Sequence, residues 1–371
     1  MPSDTRRDKS GPSKTGSKKC INVALQGGGA HGAYTWGVLD RLLDDERIEI
    51  EAISGTSAGA MNAVVLAEGL VEGGVKGGRD KARKQLEDFW RAVSDEALAS
   101  PFRRTAWDIL SSNWSLDNNP MLAVMDAMTH ALSPYWLNPF NLNPLRELLL
   151  KEVDFDRVRS CQSVRLFIAA TNVHSGEARV FTNGDISVDA VMASACLPHL
   201  FQAVEIDGVP YWDGGFSGNP PLEPFLKSCD SQDVLLVQIN PQQRATTPRS
   251  AREIMNRMNE ISFNGALLKE LEHVDFVNRA LQRGDLKGLG YREIYLHMIG
   301  GGDELAQFSA SSKLNAEWAF LTHLREIGRA DTARWLEQNF DQIGKRSTLR
   351  WHELVAAPGK TLHALPITSA R

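Results

Sequence analysis

Apolar residues in this chain fall into short runs separated by stretches of helical spacing. Cys20-Ile21-Asn22-Val23-Ala24-Leu25 reads as a buried strand, and the apolar positions of residues 33–43 recur with the period of a helix. Residues 48–54 form a second strand pattern and lead into an Ala-rich helix over 58–68. Alternation of this kind predicts a parallel sheet with helices laid on its faces. Further strands are expected at 164–173, 178–182, 202–206, 209–212, 233–240 and 293–299.

Two stretches depart from this pattern. Residues 69–78 are Gly-rich and predict a loop. Residues 89–145 carry Trp90, Trp107, Trp114 and Trp136 with Phe89, Phe102, Tyr135 and Phe140, set among several Pro and Asn. That composition predicts a helical insertion or cap with irregular connections. Tryptophan fills large cores and also suits interfaces; packing into the core is the preferred reading and a lipid-facing cap the alternative. From about residue 244 the pattern is mostly helical, with helices expected at 249–282 and 331–343 and one strand near 295. No internal repeat or long low-complexity tract is visible.

Composition narrows the class. A chain of 371 residues with 42% hydrophobic and 23% charged residues is an ordinary globular protein, large enough for one big domain or two. A net charge of −5 gives no reason to expect a nucleic-acid partner. Cys20, Cys161, Cys196 and Cys229 are dispersed without metal-type pairing, which fits a reducing compartment. Residues 1–19 are basic and polar and lack the apolar core of a secretory signal, so they read as a flexible tail; Arg6-Arg7 likewise lacks the context of an export signal. A solvated tail is the preferred reading over one that touches anionic lipid. No apolar run is long enough for a membrane-spanning helix. The expected setting is cytoplasmic, with peripheral membrane contact left open.

The chemistry is carried by glycine-rich turns. Gly55-Thr56-Ser57-Ala58-Gly59 joins the second strand to its helix, the setting of a nucleophile elbow, where small neighbours permit a strained turn that exposes the serine hydroxyl. A serine attacking a carbonyl needs amides aimed at the developing oxyanion. Gly27-Gly28-Gly29-Ala30-His31-Gly32, at a helix N-terminus, leaves such amides open. Gly27, Gly29 and Gly32 also satisfy a dinucleotide-binding spacing, but that reading needs an acidic residue about 20 positions on, at the end of the second strand. That strand ends at Ser54 and runs into the serine turn instead. A base for Ser57 is offered by Asp213, late in a strand and followed by Gly214-Gly215. His273, His297 and His323 sit in no loop context suited to a triad, so a Ser57–Asp213 dyad fits better.

These blocks, with Ala193-Ser194-Ala195-Cys196-Leu197-Pro198-His199-Leu200-Phe201 between them, resemble the patatin-like phospholipase family over residues 20–243. The resemblance implies a three-layer α/β/α sandwich with a mainly parallel central sheet, a helical insertion, and a helical extension over 244–371 packed on the core. It implies Ser57 as nucleophile, Asp213 as base or orienter, and Gly27, Gly28 and Gly29 as the oxyanion hole, with His31, Gly32, Gly55, Gly59, Gly214 and Gly215 in support. Where family members often carry Arg, this chain has His31, which would make the electrostatics beside the hole pH-dependent. Cys196 is expected to pack rather than react. The implied activity is cleavage of fatty-acyl esters of phospholipids or lysophospholipids through an acyl-enzyme, at a membrane or micelle surface, without cofactor, metal or calcium. Other hydrophobic acyl esters (thioesters, neutral lipids, storage polyesters) are the alternative substrates, and a catalytically idle lipid- or partner-binding module is the alternative role.

Overall fold

A computed structural model of the chain describes residues 18–98, 100–244, 247–249, 251–300 and 302–351. The expected tail therefore lies, up to residue 17, outside the described residues. Eight strands form one sheet: β1 (Lys19–Leu25), β2 (Ile48–Gly55), β3 (Arg165–Asn172), β4 (Ala178–Thr182), β5 (Val204–Ile206), β6 (Val209–Asp213), β7 (Asp233–Gln238) and β8 (Tyr295–Gly300). Their spatial order is β5-β6-β3-β2-β1-β7-β8, with β4 also paired to β3. From β3 to β8 the pairing is parallel; β4, β5 and β6 add an antiparallel margin.

Alternation along the strands sorts the core into two layers. Ile21, Val23 and Leu25 of β1 face one set of helices and Ala24 the other. β7 divides Leu235 and Val237 from Val234 and Leu236 in the same way. With both faces covered, the central strands are apolar almost throughout, as a buried parallel sheet requires. The result is the expected three-layer α/β/α sandwich.

One feature of the pairing positions the site. β2 accompanies β3 as far as Gly55, which lies opposite Ile168. β4 occupies the opposite edge of β3 along Phe167–Thr171. β6 therefore takes the edge that β2 has just left, beginning with Asp213 opposite Ala170. The ends of β2 and β6 meet there, so Asp213 arrives beside the turn that follows Gly55.

Two helices follow the first two strands: α1 (Gly32–Asp44) and α2 (Ala58–Ala97). The Gly-rich stretch 69–78, expected to be a loop, belongs to α2, and only Gly74 leaves helical geometry, at φ 61° and ψ −165°. There the helix doubles back as a hairpin. A Cβ on Gly78 would sit 2.8 Å from the Leu70 carbonyl oxygen, so the glycines serve close contact between its two arms rather than flexibility.

The aromatic segment divides. Phe89 and Trp90 are buried on α2, and Trp114 stacks on Phe320 at 5.1 Å between ring centres. Trp107, Tyr135, Trp136 and Phe140 are exposed, against the expectation that this segment packs into the core. Trp107 sits on a five-residue helix over 106–110, Tyr135 and Trp136 on a four-residue helix over 134–137, and Phe140 in the turn after it, elements too short to bury an aromatic face on every turn.

Residues beyond 243 add β8 to the sheet and lay the helix Trp318–Asn339 along α1. This helix starts well before the expected residue 331; its first half is masked in the sequence by Arg325 and Arg329, which break the apolar period to reach Asp40 on α1, itself also bound by Arg83 of α2. Burial alone would raise the Asp40 pKa, but the three guanidiniums hold it below the usual carboxylate value. Contact between the two helices is backbone to backbone. A Cβ on Gly37 would overlap the Arg325 carbonyl, and one on Gly328 would overlap that of Tyr34.

Replacing a mid-helix glycine by alanine ordinarily stabilises a helix by about 1 kcal/mol. Gly328→Ala is expected to do the opposite, costing about 2 kcal/mol through overpacking. Urea denaturation of the two proteins checks the sign.

Candidate active site

Ser57 caps α2 with φ 54° and ψ −122°, a backbone region that a residue with a side chain occupies only when its surroundings force it. The forcing is visible on both sides. A Cβ on Gly55 would lie 2.8 Å from the Gly59 carbonyl carbon, and one on Gly59 would overlap the carbonyl of Leu25 on β1. Thr56 is tied down by its N–H donating to the Leu25 oxygen at 3.2 Å and its hydroxyl to the Gly218 oxygen at 2.7 Å. The Ser57 N–H donates to Ser194 Oγ at 2.9 Å. The serine is half-buried, at the C-terminal end of β2.

Asp213 ends β6 and is buried. Its Oδ1 accepts from the Gly215 N–H at 2.7 Å, and its own N–H donates to the Cys196 oxygen at 2.8 Å. Burial pushes its pKa up to about 7, although the Gly215 amide and the Ser57 hydroxyl both favour the charged form. Gly214 has no room for a side chain, since a Cβ would overlap the Ala169 carbonyl. A buried carboxylate with a pKa near neutrality, beside a serine hydroxyl, has the properties of a general base.

The glycine turn closes the third side. A Cβ on Gly27 would lie 2.7 Å from Ser57 Cβ, so this turn touches the serine directly. The three amides expected to form the hole are not equivalent. Gly27 N–H is taken by Asn219 Oδ1 at 2.8 Å, which removes it from the set. Among the described residues, the N–H groups of Gly28 and Gly29 donate to no protein acceptor. Gly28 is extended and Gly29 has φ 58°, at the start of the short turn 29–31 that opens into α1. Gly32 allows α1 to approach α2, where a Cβ would meet that of Ala58 at 2.6 Å.

His31 is not a local capping side chain. Its Nε2 pairs with Ser312 Oγ at 2.7 Å, and its ring stands edge-on to Phe308 and Phe320. Burial, with the charges of Lys313 and Arg244, lowers its pKa to about 3. The imidazole is therefore neutral at physiological pH, and the expected pH dependence from this residue does not arise near neutrality. Cys196 is buried with its thiol donating to the Gln202 oxygen, and burial pushes it up to about 12, which leaves it unreactive.

Sequence reasoning missed several partners. Ser194 and Asn219 lie inside or beside motifs singled out above, yet nothing in those motifs specifies which amides they bind. Asn240, Ser312 and Lys313 carry no signal in the sequence. Of the remaining histidines, His297 binds Asp233 and Thr348, and His323 stacks on Trp114; neither joins Ser57. No group of metal-ligating side chains is present among the described residues.

The family model of the patatin-like phospholipases matches residues 23–226. Among solved structures, VipD from Legionella pneumophila aligns at 16% identity and a TM-score of 0.38, covering 86% of this chain and 67% of that one. The ExoU–SpcU complex from the type III secretion system of Pseudomonas aeruginosa aligns at 15% identity and a TM-score of 0.36, covering 88% of this chain and 52% of that one. This chain thus spans about two thirds and about half of the lengths of these two. No curated protein matches it in sequence.

The raised pKa of Asp213 has a consequence for stability. A carboxyl whose folded pKa lies above its unfolded value stabilises the fold fully below the unfolded value, and that contribution is lost as pH rises through the folded one. Between the ordinary carboxyl value of 3.8 and about 7, the wild type therefore loses stability that Asp213→Asn, which keeps the acceptor for Gly215, does not lose. The variant is expected to melt a few degrees higher than wild type at pH 8, with the gap closing by pH 4, as read by calorimetry.

Proposed function

The chain belongs to the patatin-like phospholipase family, and from that membership we propose that it is a serine lipid acyl hydrolase working through a Ser57–Asp213 dyad. The observation that supports this most is Ser57 itself, held at positive φ on a strand-to-helix turn with a buried carboxylate of near-neutral pKa beside it. In this reading Asp213 takes the hydroxyl proton as Ser57 Oγ attacks the acyl carbonyl carbon. The oxyanion rests on the Gly28 and Gly29 amides. The tetrahedral intermediate collapses, Asp213 returns the proton to the departing alcohol, and an acyl-enzyme remains. Water then attacks that ester, gives its proton to Asp213, and the fatty acid leaves as Ser57 is reprotonated. Every proton moves between the substrate, water and these two side chains, so the mechanism calls for no cofactor.

Phospholipids and lysophospholipids are the proposed substrates. Residues 20–243 would form the hydrolase unit, which residues 244–351 complete by adding β8 to its sheet and a helix against α1. Among the described residues no helix is long and apolar enough to cross a membrane. Free Cys20, Cys161, Cys196 and Cys229 fit a cytoplasmic setting.

Peripheral contact with a lipid surface is supported by the exposed aromatics. Trp107, Trp136 and Phe140 are 71%, 82% and 84% exposed, and Tyr135 and Leu142 beside the last two are exposed as well. Residues 118–145 contain no Lys or Arg and a single acidic residue, Asp126, so the segment suits the neutral interfacial zone better than a charged headgroup layer. The segment also adjoins the site. Gln202 Nε2 donates to the Asn138 oxygen at 2.8 Å and the Ala203 N–H to the Tyr135 hydroxyl at 3.3 Å, in the loop whose Cys196 carbonyl holds Asp213.

Fatty-acid release from a mixed phospholipid and lysophospholipid panel tests the reading. Wild type is expected to release acid with an activity that rises through about pH 7 as Asp213 loses its proton, and Ser57→Ala to release none. Equal release by both proteins would remove Ser57 as the nucleophile. For the lipid surface, replacing Trp107, Trp136 and Phe140 together by Ser is expected to cut binding to phosphatidylcholine vesicles at least 10-fold. Turnover of a short soluble ester should be unchanged, and wild-type binding should be insensitive to salt. Binding that requires anionic lipid and fades with salt would point to a different surface.

A further inference from the structure

The glycine turn is held from outside the segment that carries the family motifs. The Gly27 carbonyl accepts from Asn240 Nδ2 at 2.7 Å, and Asn240 Oδ1 accepts from Lys313 Nζ at 2.7 Å. The Gly27 carbonyl and the Gly28 N–H belong to one planar trans peptide and point in opposite directions. Anchoring the carbonyl therefore sets the direction of the Gly28 N–H. An ammonium can only donate, so Lys313 also determines which way round the Asn240 amide sits.

The same short segment, Ala310–Leu314, meets the turn twice more. A Cβ on Gly29 would lie 2.6 Å from the Lys313 carbonyl oxygen, and Ser312 Oγ pairs with His31. Since His31 is neutral, Lys313 supplies a positive charge to this side of the turn.

We propose that Lys313 and Asn240 are positioning residues for the oxyanion hole: they orient and polarise the Gly28 amide, and so make a segment beyond residue 300 part of the catalytic apparatus. This rests on the reading of Gly28 and Gly29 as oxyanion donors. A cation at one end of a hydrogen-bonded amide chain strengthens the donor at the other. The amide that receives the oxyanion is then fixed before substrate arrives, with no reorganisation left for the reaction.

Lys313 is charged at neutral pH but close to losing its proton. Burial lowers its pKa to about 8 against the pull of Glu260 on the helix Ala251–Arg283, and Arg244, after β7, lowers it further. The other titratable group facing it is His31, which stays neutral. Activity that depends on the polarised amide should therefore decline above about pH 8.

The test uses the full chain and a short soluble ester, with competent sites counted by end-point labelling of Ser57 with a fluorophosphonate. In Lys313→Met and in Asn240→Ala, kcat per labelled site is expected to fall roughly 10-fold with KM within twofold, less than the 10²–10³ lost when a donor is removed outright. The alkaline decline should vanish in Lys313→Met, whereas Lys313→Arg should recover most of kcat and carry the decline to higher pH. A purely structural role would lower the number of labelled sites and leave both kcat per site and the alkaline limb as in wild type; that result overturns the proposal. Two variants on different elements guard against one failing to fold. A wild type that is not labelled at Ser57, or a Ser57→Ala protein that still turns over the ester, would bring down the serine-hydrolase reading and the positioning role with it.

Discussion

The site depends on how three strands share one edge. β2 must release the edge of β3 at Gly55, and β6 must take it up at Ala170, for Asp213 to stand beside Ser57. Strand pairing has a period of two, so a one-residue slip of β6 would turn Asp213 to the opposite face of the sheet. The handover is secured by three side-chain hydroxyls. Thr56 binds the Gly218 oxygen, Ser54 Oγ donates to the Pro221 oxygen at 2.6 Å, and Thr171 Oγ1 donates to the Asp213 oxygen at 2.8 Å. Each bond ties the serine turn or β3 to the chain around Asp213.

Around that junction two groups are held in states that cost stability. Ser57 occupies strained backbone, and Asp213 is buried, which disfavours its charge despite the Gly215 amide and the Ser57 hydroxyl. Such features persist only where the surroundings over-determine them. Here the surroundings are the sheet centre, α1 and α2, and the helix Trp318–Asn339 pressed against α1 through Gly37 and Gly328. The C-terminal region is therefore integral to the sandwich: it supplies a strand to the sheet, a helix to one face and the contacts that close around the glycine turn.

Much of the architecture was legible along the chain. All eight strands fall within a few residues of the expected positions: the central ones carry the near-continuous apolar runs of strands buried on both faces, and β4, β5 and β6 are short runs bounded by turn residues. The misreadings have identifiable causes. Glycines at 69–78 signal flexibility by composition, yet here they permit two helical arms to touch. Arg325 and Arg329 hide the first half of a helix because their charges are spent on a buried partner, Asp40. Residue type alone does not tell Trp90, enclosed on α2, from Trp136, exposed on a four-residue helix, so the aromatic residues of 89–145 fit core packing and a lipid-facing cap alike.

Local patterns along the chain are enough to give the eight strands, the layered class and the strand-end positions of Ser57, Asp213 and the glycine turn. Sharp turns and strand or helix periods are local properties, written in the residues that adopt them. It takes the folded arrangement to show that Asn219 occupies the Gly27 amide and leaves those of Gly28 and Gly29 open, that His31 is sealed and neutral against Ser312, and that Lys313 reaches the turn through Asn240. These arrangements join residues up to 281 positions apart, as in the His31–Ser312 pair. A hydrogen bond between such partners depends on how strands and helices stack in space, and no local pattern along the chain records it.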